Sequence, residues 1–283
     1  MNSLSDAFLL NNGVKIPCVG FGTWQTPDGE VAANSVAAAI ENGYRHIDTA
    51  AVYKNEKGVG EGIRRAGVKR DELFVTTKLW NTDRGYDKTL KAFQNSLSML
   101  RLDYVDLYLI HWPANQKQYK NCDEINADTY KALERILESG RAKAIGVSNF
   151  LVSHLQKLLQ NTNIVPAVNQ IEFHPGYTQE DTVSFCKENN ILVEAYSPLG
   201  TGQLLNNIEL INIAEKYNKS TAQLCIRFVL QKGVLPLPKS VTESRIKENT
   251  KVFDFNISDE DMKAIENIKG ISRIGSHPDE VPW

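Results

Sequence analysis

The chain has no apolar run long enough to span a membrane, and its N-terminus carries only the short apolar run at residues 7–10. A transmembrane helix needs about 20 consecutive apolar residues, and a secretory leader needs a longer apolar segment behind a basic one. We therefore expect no membrane partner and a cytoplasmic location.

The sequence also lacks a pattern of cysteines that could build a disulfide framework or a zinc site. The four cysteines, Cys18, Cys122, Cys186 and Cys225, lie far apart, with no CxxC pair and no histidine at ligand spacing. We expect buried, inert thiols and no bound metal.

A strong excess of charge of either sign is absent as well. The formal net charge is -2 and the sequence pI is about 6.2, which gives no reason to expect a nucleic-acid partner. No Pro-rich or Ser-rich linker and no internal repeat divides the chain. We expect residues 1–283 to form one domain, with a monomer as the simplest state.

Short β-branched segments alternate with longer segments of helical period, and this alternation is the main architectural signal. Two helical stripes are Leu90, Phe93, Leu97, Leu100 and Tyr130, Leu133, Leu137, the second followed by Gly140 as a C-terminal cap. The predicted strands lie at residues 18–23, 45–50, 73–79, 105–111, 142–149, 167–173, 191–197 and 234–240.

Eight strand-helix units predict an α/β fold, the (β/α)8 or TIM barrel, which typically has roughly 250 residues. A doubly wound sheet is the competing fold, but "GFGTW" and "GVGEG" lack the G-x-G-x-x-G spacing of its nucleotide-binding turn. Residues 8–17 predict an N-terminal hairpin with Asn12-Gly13 as a two-residue turn. We expect this hairpin to close the bottom of the barrel.

Polar residues occupy the C-terminal ends of the predicted strands, which in a barrel meet at the rim that carries the active site. They are Asp48, Lys78, His111, Ser148, Asn149, Gln170, Tyr196, Ser197, Lys239 and Ser240. Each alone has an ordinary structural explanation, such as a turn cap or a packing histidine. Together they favour a functional site, because buried charge is costly unless it is paired or used.

The residue types predict a general acid with an electrostatic relay. A phenol has a pKa of about 10, and a neighbouring ammonium lowers it. We expect Lys78 to act on Tyr53 in this way, with Asp48 keeping the lysine charged, and His111 to donate a hydrogen bond to a substrate carbonyl. The set contains no obvious nucleophile.

Several long motifs with fixed spacing run in order over nearly the whole chain. They are "GYRHIDTAAVYKNEKGVG" (43–60), "TTKLW" (76–80), "LYLIHWP" (107–113), "GVSNF" (146–150), "NQIEFHP" (169–175), "AYSPLGTG" (195–202) and "LPKSVTESRIKEN" (237–249). With these motifs the sequence resembles the aldo-keto reductases. The short tail at residues 270–283 is similar to that of compact microbial members acting on small aldehydes and dicarbonyls, including the diketogluconate reductases, and implies broad specificity.

The resemblance implies an NADPH-dependent oxidoreductase that reduces aldehydes and ketones, with Tyr53 as proton donor, Asp48 and Lys78 as its tuning pair and His111 as orienting residue. It implies a carboxamide site at Ser148, Asn149 and Gln170, a nicotinamide stacked on Tyr196, and a pyrophosphate path along Ser197, Leu199 and Gly200. Lys239, Ser240, Arg245 and Asn249 are then the adenosine phosphate site. The remaining implied cofactor residues are Gly22, Thr23, Trp24, Asp48, Val241, Thr242 and Glu248.

The same resemblance implies a substrate pocket walled by Trp24, Tyr53, Trp80, His111 and Trp112, with residues 113–129 as a rim loop. Lysine and a forked arginine suit a 2′-phosphate, which carries about two negative charges, so NADPH is favoured over NADH.

Other interpretations of the same residues stay open. The segment that begins at Ser240 or Thr242 also fits an ordinary helix N-terminus that binds nothing. Lys78 on a barrel strand could be the nucleophile of a Schiff-base aldolase, and a barrel that binds NADPH without turnover would serve regulation. His174 and His277 are expected at packing or surface positions. Trp283 either folds over the site or docks on the barrel.

Overall fold

A computed structural model describes residues 1–283 and has the predicted architecture. An antiparallel pair, β1 (Ala7–Leu9) and β2 (Lys15–Pro17), precedes an eight-stranded parallel sheet whose strands pair in chain order. The first and last strands of the sheet meet and close it into a barrel. Gly22 N, at the end of the first strand, donates to Pro238 O, just after the last strand, at 3.0 Å. Its strands are β3 (Gly20–Gly22), β4 (His46–Asp48), β5 (Phe74–Leu79), β6 (Val105–Ile110), β7 (Ala142–Ser148), β8 (Val168–Glu172), β9 (Leu192–Tyr196) and β10 (Leu235–Pro236).

Helices follow the strands and surround the barrel. They are α1 (Glu30–Glu41), α2 (Glu56–Arg65), α3 (Tyr86–Leu100), α4 (Cys122–Glu138), α5 (Val152–Leu159), α6 (Glu180–Glu188), α7 (Ile208–Lys216), α8 (Thr221–Gln231), α9 (Glu243–Glu248) and α10 (Asp259–Glu266). The two predicted stripes lie on α3 and α4, and Gly140, at φ 75°, follows the end of α4. The predicted helix start after Thr242 is α9. No helix is both long enough and apolar enough to cross a bilayer.

The apolar residues form two separate cores, because successive residues of a strand face opposite sides of the sheet. A cluster of 50 buried residues fills the space between the sheet and the helices. A cluster of 10 buried residues fills the barrel interior and includes Leu10 and Ile16 of the hairpin, packed with strand residues such as Leu107 and Leu235. The hairpin therefore closes the barrel bottom, as predicted.

The hairpin turn differs from the predicted two-residue turn. Leu10 N donates to Val14 O and Gly13 N donates to Leu10 O, both at 2.9 Å, so the loop has three residues, 11–13. Gly13 takes the left-handed position at φ 83°. A Gly at that position is typical of three-residue hairpin loops, and the Asn-Gly pair alone does not distinguish the two.

All four cysteines are free and buried, as expected. Burial raises the pKa of the Cys225 thiol to about 12 and that of Cys186 to about 11. These thiols are therefore protonated at neutral pH, which is the unreactive form.

Candidate active site

Lys78 is the centre of the polar cluster at the barrel mouth. It lies near the end of β5 with no exposed surface, and its Nζ donates to Asp48 Oδ1 at 2.7 Å, Thr49 O at 2.9 Å and Tyr53 Oη at 3.3 Å. An ammonium has three hydrogens to donate, so these three acceptors use all of them. The lysine thus has one fixed position, between a carboxylate and a phenol.

Tyr53 reaches the cluster because a tight 3-10 turn, Ala51–Tyr53, follows β4. The turn rests on a fully buried Asn55, whose Nδ2 donates to Thr23 O at 2.8 Å and Thr26 O at 3.0 Å. Thr49 Oγ1 donates to Asn55 Oδ1 at 2.9 Å. These bonds tie the turn to the end of β3 and fix the direction of the phenol.

The charges of the cluster follow from burial and from its neighbours. Burial opposes the charge of Lys78, yet Asp48 and Tyr53 together raise its pKa above the ordinary value. Burial also raises the pKa of Tyr53, while Lys78 draws it downward, and the net direction is upward. The predicted influence of Lys78 has the expected sign, but the prediction of a lowered phenol pKa is wrong because desolvation outweighs it. The phenol therefore stays protonated.

His111 follows β6 and faces the phenol. Its ring centroid lies 5.6 Å from that of Tyr53 and 5.4 Å from that of Trp80, both edge-on. Burial and the Lys78 charge hold the pKa of His111 well below its usual value, so the imidazole is neutral. Asn149 Nδ2 donates to the backbone carbonyl oxygen of His111 at 2.9 Å.

The predicted carboxamide residues form a connected group beside this cluster. Ser148 Oγ donates to Gln170 O at 2.8 Å, and Tyr196 Oη donates to Asn149 Oδ1 at 2.8 Å. Gln170 Nε2 donates to Asp48 Oδ2 at 2.9 Å, which joins this group to the lysine cluster. The structure thus brings together residues from β4, β5, β7, β8 and β9 at one rim.

The remaining predicted cofactor residues lie around the same mouth, beyond β3, β9 and β10. The Lys239 ammonium has no carboxylate partner, only Gln25 O at 3.4 Å, and burial lowers its pKa. Arg245 on α9 is exposed. Uncompensated cations of this kind fit an anionic ligand. The others are Gly22 at the end of β3 with Thr23 and Trp24 after it, Ser197, Leu199 and Gly200 after β9, and Ser240, Val241, Thr242, Glu248 and Asn249 around α9.

Residues 18–269 match the model of the Aldo/keto reductase family. The chain belongs to this family. It is 53% identical over 279 residues to a glyoxal reductase of Bacillus subtilis, covering 99% of this chain and 98% of that protein.

Two solved structures support the assignment. An aldo-keto reductase from a Medee basin deep-sea metagenome library has a TM-score of 0.92 at 45% identity, covering 98% of this chain and 100% of its own. A Bombyx mori aldo-keto reductase in complex with NADP has a TM-score of 0.85 at 39% identity, covering 93% and 92%.

The rim of this aldo/keto reductase is partly aromatic. Trp24 is 47% exposed, and Trp80 and Trp112 are partly buried. The predicted rim loop 113–129 is wrong in its second half, because α4 begins at Cys122. The first turn of α4 contains Asp123 and Glu124, and acidic residues favour a helix N-terminus.

The C-terminal tail runs along the mouth, and its backbone groups are hydrogen-bonded to side chains of the barrel and its loops. Ile274 N and Gly275 N donate to the buried Glu172 carboxylate at 2.6 and 3.0 Å. Asn115 Nδ2 donates to Pro278 O and Val281 O, each at 3.0 Å, and Asn81 Nδ2 donates to Trp283 O at 3.0 Å.

The tail therefore docks on the rim, and the Trp283 side chain is left 46% exposed. His174 is a packing residue, fully buried, with Nε2 3.1 Å from Glu172 Oε1. His277 is partly exposed beside Asp279, whose backbone N donates to its Nδ1 at 3.2 Å.

Sequence reasoning missed the polar residues one layer below the rim. His46 and Glu194 are each fully buried inside the barrel, two residues before Asp48 and Tyr196. The strand period of two could have identified them, because a residue two positions before an inward-facing rim residue also faces the barrel interior.

Proposed function

We propose that this aldo/keto reductase reduces small aldehydes, ketones and dicarbonyls to alcohols at the expense of NADPH, with Tyr53 as general acid. The observation that carries the proposal is that one buried ammonium, Lys78, contacts both the Asp48 carboxylate and the Tyr53 phenol, at 2.7 and 3.3 Å. That arrangement serves proton donation to a developing alkoxide.

Each residue of the cluster has a separate task. Neutral His111 donates a hydrogen bond to the substrate carbonyl oxygen and orients it beside Tyr53. NADPH, when bound, would supply the hydride to the carbonyl carbon. Tyr53 then gives its proton to the alkoxide oxygen, which is a far stronger base than a phenolate. Lys78 stabilises the phenolate that is left, and Asp48 keeps Lys78 charged in a buried position.

The cofactor site is proposed residue by residue. Ser148, Asn149 and Gln170 would hold the carboxamide, Tyr196 would stack on the ring, and Ser197, Leu199 and Gly200 would follow the pyrophosphate, with Gly22, Thr23 and Trp24 opposite. Lys239, Ser240, Val241, Thr242, Arg245, Glu248 and Asn249 would surround the adenosine phosphate. The unpaired ammonium of Lys239 supports a phosphorylated cofactor, and so does the NADP bound by the Bombyx mori relative.

The substrate pocket is proposed between the catalytic pair Tyr53 and His111 and the rim residues Trp24, Trp80 and Trp112. Aromatic walls favour carbonyl compounds with some apolar surface. The 53% identity to a glyoxal reductase supports a small dicarbonyl as one substrate.

The Schiff-base aldolase is the less favoured function. An aldolase lysine must lose its proton to attack a carbonyl, whereas the pKa of Lys78 is raised and its three hydrogens are all donated to protein acceptors. Borohydride treatment with substrate should therefore trap no adduct on Lys78.

A steady-state scan of NADPH oxidation against aldehydes, ketones and dicarbonyls tests the proposal directly, with NADH run in parallel. We expect turnover with several small carbonyls and a lower KM for NADPH than for NADH. Tight NADPH binding without turnover of any carbonyl would instead support the regulatory barrel.

A further inference from the structure

The interior of the barrel carries a polar layer where packed apolar side chains are the rule. His46 on β4, Thr76 on β5 and Glu194 on β9 lie one level below the rim, and each is fully buried. Burying this many polar groups is unfavourable unless their hydrogen bonds are satisfied. The layer therefore calls for an explanation beyond packing.

Gln170 connects this layer to the proposed catalytic cluster. Its Nε2 donates to Asp48 Oδ2 at 2.9 Å and to Glu194 Oε2 at 2.8 Å. A side-chain amide nitrogen has two hydrogens, so Asp48 accepts one of them and Glu194 accepts the other. Glu194 thus fixes the rotation of the amide that holds Asp48, and Asp48 Oδ1 in turn holds Lys78 at 2.7 Å.

The charges around Glu194 decide its protonation state. Asp48 and His46 face it from β4, Lys78 from β5 and Gln170 from β8, while its register partner on β10 is the apolar Leu235. Lys78 is already paired with Asp48, so it is not a cation partner for Glu194.

His46 offers no compensating charge. Its Nε2 lies 3.0 Å from Thr76 Oγ1 and 4.0 Å from Glu194 Oε1. Burial and Lys78 lower the pKa of His46 to about 3, so it is neutral. Glu194 is left without a cation partner, and burial together with Asp48 raises its pKa to about 8.

We propose that Glu194 is a positioning residue of this reductase: as a neutral carboxyl it holds Gln170, which holds Asp48 against Lys78 and so sets the strength of Tyr53 as an acid. The inference rests on the proposed function. Ionisation of Glu194 places a second negative charge beside Asp48, which makes Tyr53 a weaker acid. The reductase therefore loses turnover as Glu194 loses its proton.

Two variants separate positioning from packing. Glu194→Gln keeps an oxygen acceptor for Gln170 Nε2 and removes the titration, whereas Glu194→Met keeps the volume and removes the acceptor. Glu134→Gln is a matched control, since Glu134 is a buried carboxyl outside the network that accepts from Asn163 N and Ile164 N at 2.7 and 2.9 Å.

The kinetic experiment measures kcat and carbonyl KM from about pH 6 to about pH 10 for each variant. We expect kcat of the unmodified enzyme and of Glu134→Gln to fall as pH rises through about 8, and this step to be absent in Glu194→Gln. In Glu194→Met we expect kcat to fall about tenfold, the equivalent of one lost hydrogen bond, with carbonyl KM unchanged. The same descending step in Glu194→Gln, or full kcat in Glu194→Met, would overturn the proposal.

An infrared measurement tests the protonation state without any turnover. At neutral pH the unmodified protein should show the C=O stretch of a protonated buried carboxyl that is absent from Glu194→Gln. The difference between the two spectra separates this band from any band of Glu56, a second carboxyl whose pKa is raised by burial. A missing band refutes this inference whatever the activity. A band in a protein that reduces no carbonyl refutes the proposed function instead. If Glu194→Met does not fold, Glu194→Gln and the infrared band still decide the question.

Discussion

Removing the Tyr53 hydroxyl is the sharpest test of the proposed chemistry. In Tyr53→Phe the ring keeps its place against His111, at a centroid distance of 5.6 Å, and only one protein hydrogen bond is lost, the 3.3 Å contact with Lys78. Lys78 keeps its bonds to Asp48 and Thr49. We therefore expect a stability loss of at most about 1 kcal/mol.

The expected effect on catalysis is much larger than the effect on stability. A positioned general acid contributes roughly 10²-fold to 10⁴-fold in rate, which is about 3 to 5 kcal/mol in the activation barrier. Because the hydroxyl makes no hydrogen bond to the proposed cofactor residues, the affinity for NADPH should stay nearly the same.

The assay is a single-turnover measurement of NADPH absorbance with the best carbonyl from the panel, together with NADPH titration by fluorescence. Tyr108→Phe is the matched control, since its hydroxyl is also buried but has no hydrogen-bond partner, and its rate should be unchanged. A Tyr53→Phe rate within about tenfold of the unmodified enzyme, with NADPH bound normally, would contradict the assignment of Tyr53 as the acid.

Three further changes follow from the structure. Lys78→Met leaves the buried Asp48 carboxylate without its cation, so urea unfolding should show a loss of about 3 to 5 kcal/mol, and adding Asp48→Asn should restore part of that stability but no activity. Arg245→Ala should raise the KM for NADPH much more than that for NADH; equal increases would contradict a 2′-phosphate contact. Gly60→Ala places a Cβ against the Leu100 carbonyl, so we expect a lower thermal midpoint and a loss of about 1 to 3 kcal/mol, with unchanged KM values.

The sequence was sufficient to predict the barrel and its rim. Short β-branched runs between helical segments predicted the strands, and the parallel strands of a barrel end at one face. Asp48 and Lys78, which are 30 residues apart and bonded at 2.7 Å, could therefore be placed together before any contact was known. Local period and the side-chain types at the strand ends carried that information.

The sequence by itself thus determined the fold, the hairpin under the barrel and the residues of the rim, because these depend on patterns within a few residues. Only the tertiary structure decided the raised pKa of Tyr53, the docking of the tail and the contact between Asp48 and Gln170, which are 122 residues apart. The physical reason is that desolvation and hydrogen-bond partners depend on everything packed around a group. That packing includes strands from distant parts of the chain, so no local pattern records it.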